Sequence, residues 1–172
     1  MKYGDRIRGL LFKYRFKEAG KISIGRNVII RGWKNITLGN NVTLYDGACI
    51  NASHGYINIG DRSDIGQCSY LDGGGGLSIG KACAIGIGVR ILTESNQYRF
   101  NPQVPIVDQP IIRKNVDIGD DVWIGTNAVI FLGVKIGSHA IVGAGAVVRE
   151  DVPEWKIAVG LPAKVIKDRR HE

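Results

Sequence analysis

Three histidines, His54, His139 and His171, are the side chains best suited to proton transfer near neutral pH. His54 sits in the polar stretch Asn51-Ala-Ser-His-Gly-Tyr and reads as a loop residue. His139 falls between apolar positions and reads as surface, and His171 lies in the tail. No two of them stand at metal-ligand spacing, which argues against a three-histidine zinc site. The cysteines, Cys49, Cys68 and Cys83, are odd in number and lack a CxxC pair. They read as free thiols of a reducing cytoplasm. The run Gly73–Gly76 has the freedom of a phosphate cradle but not its context. No strand-to-helix pattern surrounds it and no Lys-Ser/Thr pair follows, so it reads as a flexible corner loop.

What positions these residues is a repeat. Ile118, Ile124, Ile130, Ile136, Val142 and Val148 fall every six residues, each preceded two places earlier by Val116, Val122, Ala128, Val134, Ala140 or Ala146. The same phase runs upstream in blocks: Ile24, Ile30; Leu38, Leu44, Ile50; Ile59, Ile65, Leu71; and Ile79, Ile85, Ile91. Ten of these seventeen aliphatics are followed by glycine. A period of six fits neither an α-helix nor a simple meander. It fits a short strand plus a turn, three of which close a triangular coil. Each aliphatic then points inward and stacks on its equivalent one coil away, at about 4.8 Å. No coil can bury its own core, but stacked coils can. The pattern predicts a parallel β-solenoid of five to six coils.

The step departs from six at four places only: Ile30 to Leu38, Ile50 to Ile59, Leu71 to Ile79, and Ile91 to Ile118. Counted modulo three, all four fall at one corner of the triangle. Gly32–Asn35, Asn51–Tyr56, Asp72–Gly76 and Leu92–Asn115 should therefore stack along one edge. Loops as long as the last are usually functional or disordered, which makes that edge the working edge.

Composition supports a soluble domain. The chain has 172 residues, 44% hydrophobic and 23% charged, with 24 glycines and only five prolines. No apolar run approaches a membrane span or a signal-peptide core. The net charge of +7 sits at the ends, while residues 22–163 are neutral. A nucleic-acid binder would carry its basic stripe on the folded body, so nucleic acid is not the expected partner.

The hexads, as in Leu77-Ser-Ile-Gly and Val122-Trp-Ile-Gly, resemble those of the hexapeptide-repeat acyltransferases, most nearly the sugar and polysaccharide O-acetyltransferases. Asp117-Ile-Gly-Asp-Asp-Val-Trp-Ile-Gly-Thr-Asn-Ala-Val-Ile is similar to the coil that follows their catalytic loop. Asp151-Val-Pro and Ala158-Val-Gly-Leu-Pro-Ala-Lys-Val-Ile-Lys are similar to their C-terminal cap. The resemblance implies a left-handed β-helix, acetyl-CoA as co-substrate, a saccharide acceptor on a bacterial surface polysaccharide or its precursor, and a homotrimer with sites between subunits. Repeat, charge and resemblance together divide the chain into a basic amphipathic N-terminal helix (1–21), a solenoid (22–150) with an extruded loop (92–115), and a cap with a basic tail (151–172).

In that family a histidine at the start of the long loop takes the acceptor's proton. Here Asn96 stands at its position and Glu94 at that of a second histidine found in relatives. An amide is not a base at pH 7. Three readings follow: Asn96 inactivates an otherwise intact enzyme; Glu94, its pKa raised by burial, supplies the base; or the solenoid binds CoA or glycan without catalysing. By resemblance Trp123, Thr126 and Ala144 line the CoA groove, and Arg149, Lys164 and Lys167 meet the CoA phosphates. His54, Gln67, Asp72 and Tyr98 are the acceptor-side candidates, with Tyr98, Phe100, Pro102, Pro105 and Ile106 forming an arm that reaches a neighbouring subunit.

Residues 1–21 carry seven Lys/Arg against two Asp/Glu. Within them Ile7, Leu10, Leu11 and Tyr14 follow the i, i+3, i+4, i+7 spacing of an amphipathic helix. That face should cap the open end of the solenoid. The other use of residues 1–18 is contact with anionic lipid, which would place a cytoplasmic protein at the inner face of the membrane.

Overall fold

The computed structural model describes residues 3–171. Strands of two or three residues succeed one another on three faces of a triangular coil. The first face stacks 6 strands from Glu18–Ala19 to Lys135–Ile136, and the third stacks 6 from Ile29–Arg31 to Val147–Val148. The second stacks 8, from Ile22–Ile24 through Lys156–Gly160 as the seventh to the antiparallel Ala163–Asp168 as the last. All other pairings on these faces are parallel. This is the parallel β-solenoid that the hexads predict.

The register is that of the hexads. Ile79 pairs with Ile59 and Ile118, Ile85 with Ile65 and Ile124, and Ile91 with Leu71 and Ile130. Stacked β-branched side chains suit such ladders. Every repeat aliphatic is buried except Ile30, which is half-buried because its strand ends the third face and has a neighbour on one side only. Cys83 lies in this wall with its thiol directed at the Gly119 carbonyl, 3.1 Å away, and burial pushes its pKa up. All three cysteines are free.

The ten glycines that follow repeat aliphatics all end strands of the first or second face. There the next coil's backbone passes too close for a side chain: a Cβ on Gly86 would lie 2.7 Å from the Ile124 oxygen. Third-face strands lead instead into Arg31, Asn51, Asp72, Leu92, Phe131 and Arg149. The chain leaves the wall at this corner. Its excursions stack, as the gap arithmetic requires: Ala52 N–H donates to Arg31 O (3.0 Å), Gly73 N–H to Asn51 O (2.8 Å), and Gly75 N–H to the Thr93 hydroxyl (2.9 Å).

The N-terminal helix, Tyr3–Phe12, does close the first coil, but with a different face from the one expected. Ile7, Leu10, Leu11 and Tyr14 are exposed, at 44%, 61%, 67% and 77%. Gly9 brings the helix backbone against the Ile22 carbonyl, where a Cβ would not fit. Arg8, ion-paired with Asp5, donates to Ile24 O and Gly25 O. The plug itself is aromatic: Phe16 meets Trp33 edge-on at 4.8 Å, with Phe12 beside them. The turn Lys13–Arg15 aims these rings inward, which the helical spacing alone does not reveal. Among the described residues no helix is long and apolar enough to cross a membrane.

At the other end, Lys156–Gly160 and Ala163–Asp168 form a hairpin on the second face. Polar contacts hold it. Trp155 stacks on His139 at 4.0 Å, and Asp121 accepts from Arg169 and faces His139 Nδ1, each at 3.0 Å. His139 is therefore part of a corner ladder that secures the cap.

Candidate active site

The longest excursion, 92–115, is an antiparallel hairpin rather than an irregular loop. Glu94–Asn96 pairs with Ile111–Arg113, and the tip between them carries the short turn Ile106–Asp108. Gln109 is buried and donates from its amide to Asn101 O and Val104 O, so the tip holds its own shape. Its outer side is apolar and exposed, with Tyr98 at 61% and Phe100 at 66%.

At the root of this hairpin lies a cleft of about 270 Å³, lined by Tyr70, Asp72, Glu94, Ser95, Asn96 and Ile111. Asp72 is 2% exposed, and its carboxylate accepts from Gly74 N–H, Thr93 N–H and the Thr93 hydroxyl. Expected as an acceptor-binding group, it instead pins the hairpin root to the Gly73–Gly76 corner, and its oxygens are occupied. The glycine run is likewise packed rather than flexible. A Cβ on Gly74 would stand 2.5 Å from the Glu94 carboxylate, so the missing side chain makes the seat on which that carboxylate rests.

Glu94 accepts from Arg113 Nε at 3.0 Å across the hairpin. The ion pair occupies the carboxylate oxygen Oε2 and ties Glu94 to the opposite strand of the hairpin. Asn96 is exposed at the cleft, where its amide can donate to or accept from a substrate. His54 is exposed two coils earlier on the same edge, about 10 Å along the solenoid at the coil spacing. The cleft is thus built from carboxylate, amide and hydroxyl groups.

The groups expected to hold CoA, and the acceptor-side candidate Gln67, lie elsewhere on the chain. Trp123 is 55% exposed on the second face. Gln67, Thr126 and Ala144 follow second-face strands and share the next edge of the triangle, where Ala144 N sits against Gly125. Arg149 covers the Phe131 ring at 5.4 Å on the loop edge. Lys164 meets Glu150 at 3.3 Å, and Lys167 lies exposed on the last strand, paired with Ile157. One chain therefore brings together Asp72, Glu94 and Asn96, with Tyr98 further out on the same arm. It does not bring them to Gln67, Thr126 or Ala144.

Tyr70, Ser95, Arg113 and Thr93 were not legible as site residues. The Ile111-Ile112 pair was the available signal for the second hairpin strand, and it would have set Arg113 opposite Glu94.

A model of the hexapeptide repeat of succinyl-transferase matches residues 115–150. A dTDP-4-amino-4,6-dideoxy-D-glucose acyltransferase of Escherichia coli is 34% identical over 92% of this chain and 88% of its own. WbbJ of the same species, named for lipopolysaccharide biosynthesis O-acetyl transfer, is 30% identical over 83% and 76%. A Mycobacterium tuberculosis chain named as an acetyltransferase is 31% identical over 99% of this chain, which spans 57% of that relative. Among solved structures, a single-residue mutant of the N-acyltransferase AntD from Bacillus cereus, in complex with dTDP-4-amino-4,6-dideoxyglucose and coenzyme A, superposes with a TM-score of 0.83 at 27% identity. That match covers 94% of this chain and 88% of AntD. The chain belongs to the hexapeptide-repeat acyltransferases, among relatives that acylate sugars.

Proposed function

We propose that the protein transfers an acyl group from acyl-CoA, acetyl-CoA being the simplest donor, to the amino group of a nucleotide-linked sugar. The observation that carries the choice of acceptor is the cleft chemistry: Asn96 where a basic histidine was expected, beside a Glu94 already paired with Arg113. A hydroxyl must lose its proton as it attacks a thioester, which calls for a positioned base. A neutral amine attacks with a lone pair it already has. In the tetrahedral adduct the C–N bond has formed. Collapse breaks the C–S bond, and the ammonium proton passes to the departing sulfur, giving amide and free CoA thiol. Asn96 and Ser95 can orient the acceptor, and Glu94 can hold the amine's N–H.

The complete site needs a second copy. The cleft and the Thr126–Ala144 edge lie on different corners of one chain, and the hairpin arm leaves Tyr98 and Phe100 exposed, apolar surface that a neighbouring subunit would cover. A homotrimer joins the two edges, with the small Ala144 leaving room for pantetheine and Arg149, Lys164 and Lys167 serving the CoA phosphates. A second reading, favoured by the likeness to WbbJ, is O-acetylation of a surface polysaccharide precursor.

The test is thiol release by the full-length protein with acetyl-CoA and a dTDP-linked amino sugar or its hydroxyl counterpart. Turnover with the amine alone is expected. Equal or faster turnover with the hydroxyl sugar would replace the first reading by the second. Failure of both acceptors, together with Asn96→His showing no gain on the hydroxyl sugar, would leave a solenoid that binds without catalysing.

A further inference from the structure

The exposed stripe on the N-terminal helix borders a second feature. Between the helix and the first two coils runs a groove of about 470 Å³, lined among others by Arg6, Leu10, Lys13, Lys21, Ser23 and Thr43. No carboxylate lines it. Arg6, Lys13 and Lys21 make no ion pair with another described residue, whereas Arg8 is spent on Asp5 and on the backbone of the first coil. Leu10 belongs to both features: it lines the groove and, with Ile7, Leu11 and Tyr14, forms the apolar stripe.

We infer that this end of the solenoid docks on an anionic phospholipid bilayer, with a headgroup phosphate in the basic groove and the stripe among the upper acyl chains. Two observations select that occupant. The stripe is apolar and rimmed by cations, which is the amphipathic arrangement of a helix lying in a lipid interface. A second copy of the same face would set Arg6, Lys13 and Lys21 against their own equivalents, and the chain as a whole carries +7. Gly9 and Arg8 complete the argument. They let the helix bind the coil through its small and polar side, so its apolar side faces outward without cost to the aromatic plug. The inference does not depend on the acyl-transfer reading.

Co-sedimentation of the full-length protein with vesicles tests it directly. Binding is expected on phosphatidylcholine vesicles containing phosphatidylglycerol, with loss as salt is raised. Replacing the three groove cations together (Arg6→Gln, Lys13→Gln, Lys21→Gln) should weaken partitioning by about a hundredfold. The double change Leu10→Ser, Leu11→Ser should weaken it at least tenfold at the same vesicle composition. All five positions are outside the core, so the unfolding midpoint of each variant reports whether the fold is intact. Equal binding to vesicles without phosphatidylglycerol, or none to either, would overturn the inference. So would a drop in oligomer mass for the leucine variant, which would assign the stripe to subunit contact.

Discussion

Along the walls of the solenoid each coil repeats the one beneath it: Ile85 stacks between Ile65 and Ile124, and a glycine closes the corner after each. Along the loop edge no two coils agree. One ends in a three-residue turn after Gly32, the next in the His54 loop, the next in four glycines, and the fourth in a hairpin of its own. The wall is held by burial, which tolerates no change of volume. The edge is held by hydrogen bonds between neighbouring excursions, such as Asp72 to Thr93, and the tip of the longest one, 99–108, can be altered without touching a core side chain. Chemistry is placed where the fold can afford variety.

The largest effect should therefore come from the wall. Ile124 is fully buried between Ile85 and Val142. Ile124→Ala should cost about 2–5 kcal/mol and lower the thermal midpoint by about 5–15 °C. A calorimetric midpoint unchanged from the parent would break the comparison at once.

The joint between wall and edge should rank second. Thr93→Val keeps the shape of the side chain but removes the hydroxyl that donates to Asp72 at 2.7 Å and accepts from Gly75 N–H at 2.9 Å. Leaving those groups unpaired in a buried place should cost about 1–3 kcal/mol. The same change frees the root of the hairpin, so acceptor KM should rise more than stability falls. A variant with lowered midpoint and unaltered KM would show that Asp72 and Thr93 serve the wall alone.

Smaller still is the polar ladder at the C-terminal cap. The hydrogen bond from His139, and then the charge and hydrogen bond of Arg169, hold the Asp121 carboxyl below the usual carboxylate range. A carboxylate with a lowered folded pKa contributes stability above its unfolded value, near 3.9, and that contribution is lost as pH falls through the folded value. Asp121 is 47% exposed, so Asp121→Asn should cost less than about 1 kcal/mol at pH 7. Trp155 fluorescence should report the cap loosening below about pH 4 in the parent. It should already be loosened at neutral pH in the variant; identical acid profiles would remove Asp121 from the ladder.

The same contrast explains what the sequence disclosed. Ile118 to Val148 betray the walls because one aliphatic per six residues is all a coil requires, and missed beats at Ile30, Ile50, Leu71 and Ile91 betray the edge. Contacts that depend on two remote excursions leave no such period. Arg113 reaches Glu94 from nineteen positions further along the chain, and Gly74 matters only because Glu94 comes to rest above it. The N-terminal helix misled for another reason. Ile7, Leu10, Leu11 and Tyr14 have the spacing of a buried stripe, but Gly9 gives the opposite side a closer approach to Ile22 than any leucine could make.

Removing Arg99–Asp108 should have the smallest effect on folding and a decisive one on function. None of those residues is buried, and the strands Glu94–Asn96 and Ile111–Arg113 remain to close a shorter hairpin. The bonds that order the tip, from Gln109 to Asn101 and Val104, lie within the arm, so their loss strands no partner in the wall. The thermal midpoint should move by no more than about 2 °C, as for a surface change of about 0.5 kcal/mol. Tyr98 stays, but Phe100 and Ile106, both exposed in the single chain, are lost. If they meet a neighbouring subunit, the deletion should lower the trimer mass seen by light scattering or weaken acceptor binding at least tenfold. A folded deletion variant that kept both trimer mass and acceptor affinity would show that the edge is merely variable, and that the working surface lies on another corner.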